Sequence, residues 1–495
     1  MKKIKYIIAG ILFVAFNNAC TSGFDDYNTN QNQANLWDIS PTSLLEEIIF
    51  SGTNAMATRT KSLNGELMQY TVVPASNVAY HRYVISNSIM ASTWNSLYIW
   101  AYNAEHMYQL CEKKDPEAKL PEYLNCRAIA LTMKAFYISN AADIYGDIPY
   151  SDAFKSLEGN FKPVFDTQKD VYKDILDCLE RANDMYDVSK TISRPGKDLL
   201  YNGDMSKWKK FNNSLYLRFL LRLSNRNAEM NVHSKIKEIL VDNTAKYPVF
   251  ASNDDNATLF YSGVNPFINP FGDVTESNFT TTAAAKNLLD LMATTNDPRI
   301  SLYYQKTSNF DWKGLPSGES LQDVDNEGIS RVNKVVLGSY SSPYSIMKYD
   351  EVLFIMCEMA KKGIIPGGEA GAEQYYDEAV RASIKYWESV DPNKKTISDA
   401  TINNFILRVS YDGTLKQIFD QKYVALFWVG FEAWHEYRRT GFPKLKIGSA
   451  TGSNNYTLPT RLAYPITTSS TNPDNYWDAV SRMETIYKGG DNMLT

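Results

Sequence analysis

Apolar residues recur at three- and four-residue spacing over most of the chain. Leu124, Ala128, Leu131, Ala135, Ile138, Ala142 and Tyr145 place one apolar stripe on a helix from about 121 to 145. Pro121 suits its first turn, where a missing N–H has no intrahelical partner, and Gly146 suits its end. Val171, Ile175, Cys178, Ala182 and Tyr186 mark a second stripe, with Asp166 or Thr167 as its cap. The same periodicity predicts helices near 43–57, 88–113, 204–226, 283–294, 346–362, 370–390 and 413–438. They fall into pairs joined by short turns. The predicted fold is therefore mostly α: tetratricopeptide-like helical pairs stacked into a superhelical scaffold, although no strict 34-residue repeat is legible.

Two stretches break the rhythm, 244–282 and 301–345. The first contains Tyr247-Pro-Val-Phe, Asn253-Asp-Asp-Asn and Asn265-Pro-Phe-Ile-Asn-Pro-Phe-Gly, and the second is rich in Ser, Gly, Asn and Tyr; they carry Phe260, Tyr261, Phe267, Phe271, Phe279, Tyr303, Tyr304, Phe310, Trp312, Tyr340 and Tyr344. Disordered segments are poor in aromatics, so these read as ordered loops folded over the helices. The tail after 440 is loop-like too, with Leu458-Pro-Thr-Arg-Leu-Ala-Tyr-Pro as its densest segment.

The N-terminus carries a different pattern. Met-Lys-Lys-Ile-Lys is followed by an apolar run from Tyr6 to Phe16, then by Asn17, Asn18, Ala19 and Cys20. A basic start, a short apolar segment and a small residue before the cut describe a secretory signal peptide over 1–19. The run is too short to span a bilayer, which takes roughly 20 apolar residues. A Cys after the cut resembles the bacterial lipobox, in which that thiol is acylated; Asn17 and Asn18 depart from its usual residues. Residues 20–40 read as a lipidated, polar tether, and 41–495 as a single domain with loop insertions at about 244–345 and after 440.

Removing residues 1–19 takes away three lysines and no acid, so the formal charge of −5 becomes −8. That argues against a nucleic-acid partner. Cys111, Cys126, Cys178 and Cys357 form no CxxC. Cys111 and Cys126 stand near facing ends of consecutive predicted helices, where either a disulfide or buried free thiols would fit. His81, His106, His233 and His435 are far apart, and no HExxH, GxSxG, GxGxxG or P-loop occurs. Neither a cofactor nor an enzymatic activity is expected, although a carboxylate pair for glycoside hydrolysis has no sequence spacing to search for. Asn253-Asp-Asp-Asn has donors for calcium but also reads as a turn, and no metal site is expected.

Three segments carry a specific resemblance. They are Asn140-Ala-Ala-Asp-Ile-Tyr-Gly-Asp-Ile-Pro-Tyr-Ser-Asp-Ala-Phe, the stretch from Ser342 to Ala360 around Met-Lys-Tyr-Asp-Glu, and Gln421 to Pro443, containing Phe-Glu-Ala-Trp-His-Glu-Tyr-Arg-Arg-Thr-Gly-Phe-Pro. Together with 458–465 they resemble the SusD/RagB family of nutrient-binding outer-membrane lipoproteins. The resemblance implies a helical scaffold whose loops bind a sugar chain or a peptide. It also implies a lid on a SusC-like, TonB-dependent β-barrel transporter, lipid-anchored at the outer membrane, with Asp25 and Asp26 resembling the signal for the outer face. A structural lid with weak ligand contact is a further alternative. The signature helix itself, with Phe427, Phe431 and Trp434 at helical spacing, reads as core, and Arg438 and Arg439 as partners of carboxylates or carbonyls.

A sugar site combines flat aromatic surfaces with polar donors and acceptors. Two places have that mixture. One is Asn77-Val-Ala-Tyr-His-Arg-Tyr, giving Tyr80, His81, Arg82 and Tyr83; the resemblance also implies binding residues from this region. The other is the pair of irregular stretches, giving Asn265, Phe267, Asn269, Phe271, Tyr304 and Trp312. Such aromatics also serve to pin long loops to a helical body.

Overall fold

The computed structural model describes residues 37–74, 80–272, 279, 281–320 and 328–487. The leader, Cys20, Asp25 and Asp26 lie outside these residues. The longer helices are α1 (Thr42–Arg59), α2 (Asn87–Lys114), α3 (Pro121–Tyr145), α4 (Gln168–Met185), α5 (Met205–Arg222), α6 (Lys286–Thr294), α7 (Tyr349–Lys361), α8 (Gly368–Val390), α9 (Asp399–Arg408), α10 (Leu415–Ala425), α11 (Glu432–Thr440) and α12 (Pro473–Tyr487). Short strands are β1 (Thr71–Val72), β2 (Ile148–Pro149), β3 (Phe165–Asp166), β4 (Ala257–Leu259), β5 (Ala283–Ala284), β6 (Tyr304–Gln305), β7 (Arg331–Val332) and β8 (Tyr344–Met347). The protein is mostly helical, as the periodicity predicts.

Consecutive helices pack side by side: α1 on α2, α2 on α3, α3 on α4 and α4 on α5. The stack then continues from α5 to α7 and from α7 to α8, so the segment between α5 and α7 is an insertion into a helical array. Local chemistry starts each helix. Thr167 Oγ1 accepts from Asp170 N at 3.2 Å, Asp204 accepts from Lys207 N at 3.1 Å and Ser86 Oγ from Ile89 N. Gly146 ends α3 at φ 88°, a backbone conformation open to glycine.

Several helices differ from expectation: α9 has no counterpart in the predicted set, and α12 lies in the tail after 440 that reads as loop-like. α3 is buried on every face from Asn125 to Tyr145 except at Lys134, because neighbours cover it on all sides. Its Ala, Ser, Thr and Asn residues are small enough to let them close in, and Thr132 and Asn140 bond α3 carbonyls. The helix expected over 413–438 is two helices. Trp428 at φ 66° and Gly430 at φ 48° break it, and Phe427, Phe431 and Trp434 point into the core.

α11 ties the array together through charge. Arg218 of α5 grips Glu351 of α7 at 2.6 and 2.5 Å. Arg222 pairs with Asp143 of α3 at 2.5 Å and with Glu432 of α11. Arg439 reaches Glu358 of α7 at 2.7 and 2.6 Å and also pairs with Glu436. Burial pushes Glu436 upward, but Arg439 and Lys422 outweigh it and hold it at about 2. The signature segments thus meet as one buried ionic lattice that fixes the relative positions of α3, α5, α7 and α11.

The inserted chain folds over this body as two small antiparallel sheets. One has the order β1-β5-β7-β6, with Thr71 opposite Ala284 and Tyr304 opposite Val332. The other pairs β4 with β8, Leu259 opposite Tyr344. Cys111, Cys126, Cys178 and Cys357 are buried free thiols, with Cys126 hydrogen-bonded to Cys111. Asn253–Asp255 forms a turn capped by Ser252, and Asp255 accepts from Lys210 at 2.9 and 3.0 Å.

Candidate ligand-binding face

The four-stranded sheet supports the first candidate cluster. Tyr80, His81 and Arg82 form a single tight turn leading away from β1. Glu66, itself fully buried, accepts from His81 N at 3.1 Å and from the backbone of Val73, so one carboxyl holds the chain on both sides of 74–80. His81 Nδ1 accepts from Gly318 N at 3.2 Å. Burial, then Arg82, pushes His81 down to about 4, so the ring is a neutral strut at neutral pH. Tyr83 is buried at φ 63°, and Gln69 reaches both its hydroxyl and Lys446 O. His81 and Tyr83 therefore set the turn, while Tyr80 and Arg82 remain partly open to solvent.

At the other edge of that sheet, β6 leads into a loop closed by Thr307 N donating to Asp311 O and Phe310 N donating to Thr307 O. Phe310 stands 79% exposed at its tip. Trp312 is half-buried, with Lys306 Nζ 5.5 Å from its ring centre. Tyr304 turns inward: its hydroxyl donates to Tyr70 O at 2.7 Å, and it is only 1% exposed. Its ring belongs to the core and offers no face to a ligand.

The second cluster rests on α1. Phe50 meets Phe267 edge-on at 5.2 Å and Tyr261 at 6.0 Å. Tyr261 donates to Asn54 Oδ1 at 2.6 Å. Asn269 is a buried staple: its amide donates to Ser342 O at 2.7 Å and its backbone N–H to Tyr340 O at 2.8 Å. Phe271 is buried against Phe279 and Trp428. These inward residues hold up an open surface made of Asn265, Phe267, Phe260 at 67% exposure and Tyr340 at 48%. Of the ten candidates, Tyr80, Arg82, Asn265, Phe267 and Trp312 face outward at least in part. His81, Tyr83, Asn269, Phe271 and Tyr304 are their supports, because a loop with few backbone bonds of its own needs buried side chains to anchor it.

Phe50 and Glu66 were not legible as contributors. Each sits in an ordinary helical stretch, and only the chain passing over it gives it a role. Among the described residues no group of three or more His, Cys, Asp or Glu side chains could hold a metal ion, and no helix is long and apolar enough to cross a membrane.

Residues 31–465 match a family model, SusD-like, described as starch-binding and associating with the outer membrane. The chain belongs to the SusD-like family. No curated protein matches it in sequence. Solved structures share the fold: a chitin-binding protein at TM-score 0.77 and 23% identity, covering 92% of this chain and 98% of that one. A SusD homologue from Bacteroides uniformis superposes at TM-score 0.73 and 24% identity, with 94% and 99% covered. One from Bacteroides fragilis does so at 0.72 and 24%, with 90% and 98% covered. At such identities the likeness to these structures is one of fold, and the ligand has to be argued from this chain's own residues.

Proposed function

We propose that this SusD-like protein captures an oligosaccharide nutrient on its aromatic loop face and delivers it to a SusC-like TonB-dependent β-barrel transporter. Cys20 holds it by a lipid anchor at the outer membrane, facing the cell exterior. The observation that carries the reading is the surface of Phe260, Phe267 and Tyr340, joined by the polar Asn265 and backed by buried staples. Flat rings match the C–H faces of sugars, and amide or guanidinium groups such as Asn265 and Arg82 match their hydroxyl edges. The anchoring argues for a preformed site, which loses little entropy on binding. The chitin-binding neighbour and the starch-binding family description support a glycan over a peptide. Calorimetry of the protein against a panel of oligosaccharides and peptides tests it. Saturable binding of a glycan is expected; binding of peptides alone would remove the glycan assignment.

A further inference from the structure

The ionic lattice borders a cleft that the loop face does not use. It has a volume of about 540 Å³ and lies where the C-terminal ends of α3, α5 and α11 meet the start of α4 and the side of α12. A second cavity of about 500 Å³ shares Asp143, Asp147 and Arg438 with it, so Arg438 stands on a wall common to both. Six cations and three carboxylates line the first cavity, in a chain whose net charge is negative.

Most of those cations are already neutralised. Arg222 has Asp143 and Glu432, Arg439 has Glu358 and Glu436, and Arg482 has Asp147 and Asp478. Although burial opposes it, these partners hold all three guanidiniums above the ordinary arginine value. Arg438 differs. Its guanidinium donates to two carbonyls, Asp143 O at 2.6 Å and Thr460 O at 2.8 Å, and meets His435 Nδ1 at 2.5 Å. Among the described residues it forms no direct carboxylate pair, its Nε is buried without a partner, and burial drives it down to about 10 against the opposing charges of Asp143 and Glu432 nearby.

His435 completes the arrangement. It is 3% exposed, and burial followed by the surrounding arginines keeps the ring neutral. With Nδ1 accepting from Arg438, the proton sits on Nε2, which has no hydrogen-bond partner and lies 3.9 Å from Asp143 Oδ2. Two buried donors without acceptors, Arg438 Nε and His435 Nε2, carry a desolvation cost, and a bound anion beside the Arg438 guanidinium adds the close counter-charge that Asp143 and Glu432, engaged by Arg222, supply only in part.

We propose that this cleft is a second ligand site, which takes a carboxylate-bearing small solute and pairs its carboxylate with Arg438. A half-open cleft of this size suits a solute of two or three units, whereas a protein surface would need a broader, flatter contact. The carboxylate has two possible sources, a uronic acid sugar or a short acidic peptide, and both would meet Lys169 and Arg226 at the rim, 49% and 64% exposed, which share the single carboxylate of Glu229 and so leave one positive charge in excess there.

Calorimetry of the full-length chain in detergent, with digalacturonic acid, glutamyl-glutamate and neutral galactobiose as probes, tests this. At least one diacid is expected to bind saturably and more tightly than galactobiose, and to weaken as salt is raised. Arg438→Gln should weaken it by about tenfold or more, the loss of one charge-assisted contact. Should that variant fail to fold, Lys169→Gln with Arg226→Gln gives the same reading through a severalfold loss. Digalacturonic acid as the ligand assigns an acidic sugar, and the dipeptide an acidic peptide. Equal binding of galactobiose, no binding of either acid, or binding unchanged in every folded variant would overturn the site. None of these results depends on Phe267 or Trp312, so the cleft and the loop face stand or fall separately.

Discussion

Replacing Glu66 with Gln removes one ionisation and leaves an acceptor for His81 N in place. In the native chain burial pushes this carboxyl from 4.5 up to about 8, and the bonds from His81 and Val73 together with the Lys61 charge offset only part of that. Between those two values the folded form keeps a proton that the unfolded chain has lost. Stability therefore falls as pH rises through the window and levels off above the folded value. At 1.36 kcal/mol per unit, the group subtracts about 4–5 kcal/mol once ionised. Urea denaturation at pH 5 and pH 9 measures it. The native chain and Glu66→Gln should be close at pH 5, and the variant should be more stable by about 3–5 kcal/mol at pH 9. Hydrogen exchange adds a local readout: the His81 amide should lose protection above pH 8 in the native chain and keep it in the variant. Parallel stability–pH curves for the two proteins would refute the reasoning, since they would mean the carboxyl titrates as an exposed one.

Three further outcomes follow from the packing. Arg439→Leu leaves the buried carboxylates Glu358 and Glu436 with Lys362 and Lys422 as their remaining partners, and should cost about 3 kcal/mol by denaturant titration. Cys111, Cys126, Cys178 and Cys357 should resist a thiol reagent in the native chain and react once it is unfolded, because burial hides them and pushes the thiols of Cys178 and Cys357 upward, while the hydrogen bond to Cys111, then burial, does so for Cys126. Phe267→Ala and Arg82→Ala should each weaken glycan binding by about tenfold while leaving the melting temperature within a degree or two, as expected of partly exposed anchors.

The helical part of the fold was legible because burial on one face writes itself into the sequence at helical spacing. α3 begins at Pro121 and ends at Tyr145, as its pattern predicts. Where a helix is covered on all sides the stripe carries less information, and the small polar residues of α3 gave no sign that they too are inside. The break at Trp428 and Gly430 was hidden for a related reason: the turn is as apolar as the helices it joins, so the periodicity runs through it. In the loops, composition picked out aromatic segments but could not sort anchors from open faces. Tyr304 and Trp312 look alike in sequence; one is fixed by a hydroxyl bond to Tyr70 O, the other stays partly in solvent. Arg438 and His435 were read as structural members of the signature helix, and they are, but their unfilled bonding capacity exists only because α3, α5 and α12 leave a cleft beside them.

The central claim is that a sugar chain lies on the aromatic loop face. A crystal structure of the protein soaked with the oligosaccharide that binds most tightly tests it most directly. The account predicts sugar rings against Phe267 and its neighbours Phe260 and Tyr340, or against Tyr80, Arg82 and Trp312, with hydroxyls bonded to Asn265 or Arg82. A glycan bound elsewhere, with those side chains still in solvent, would contradict it.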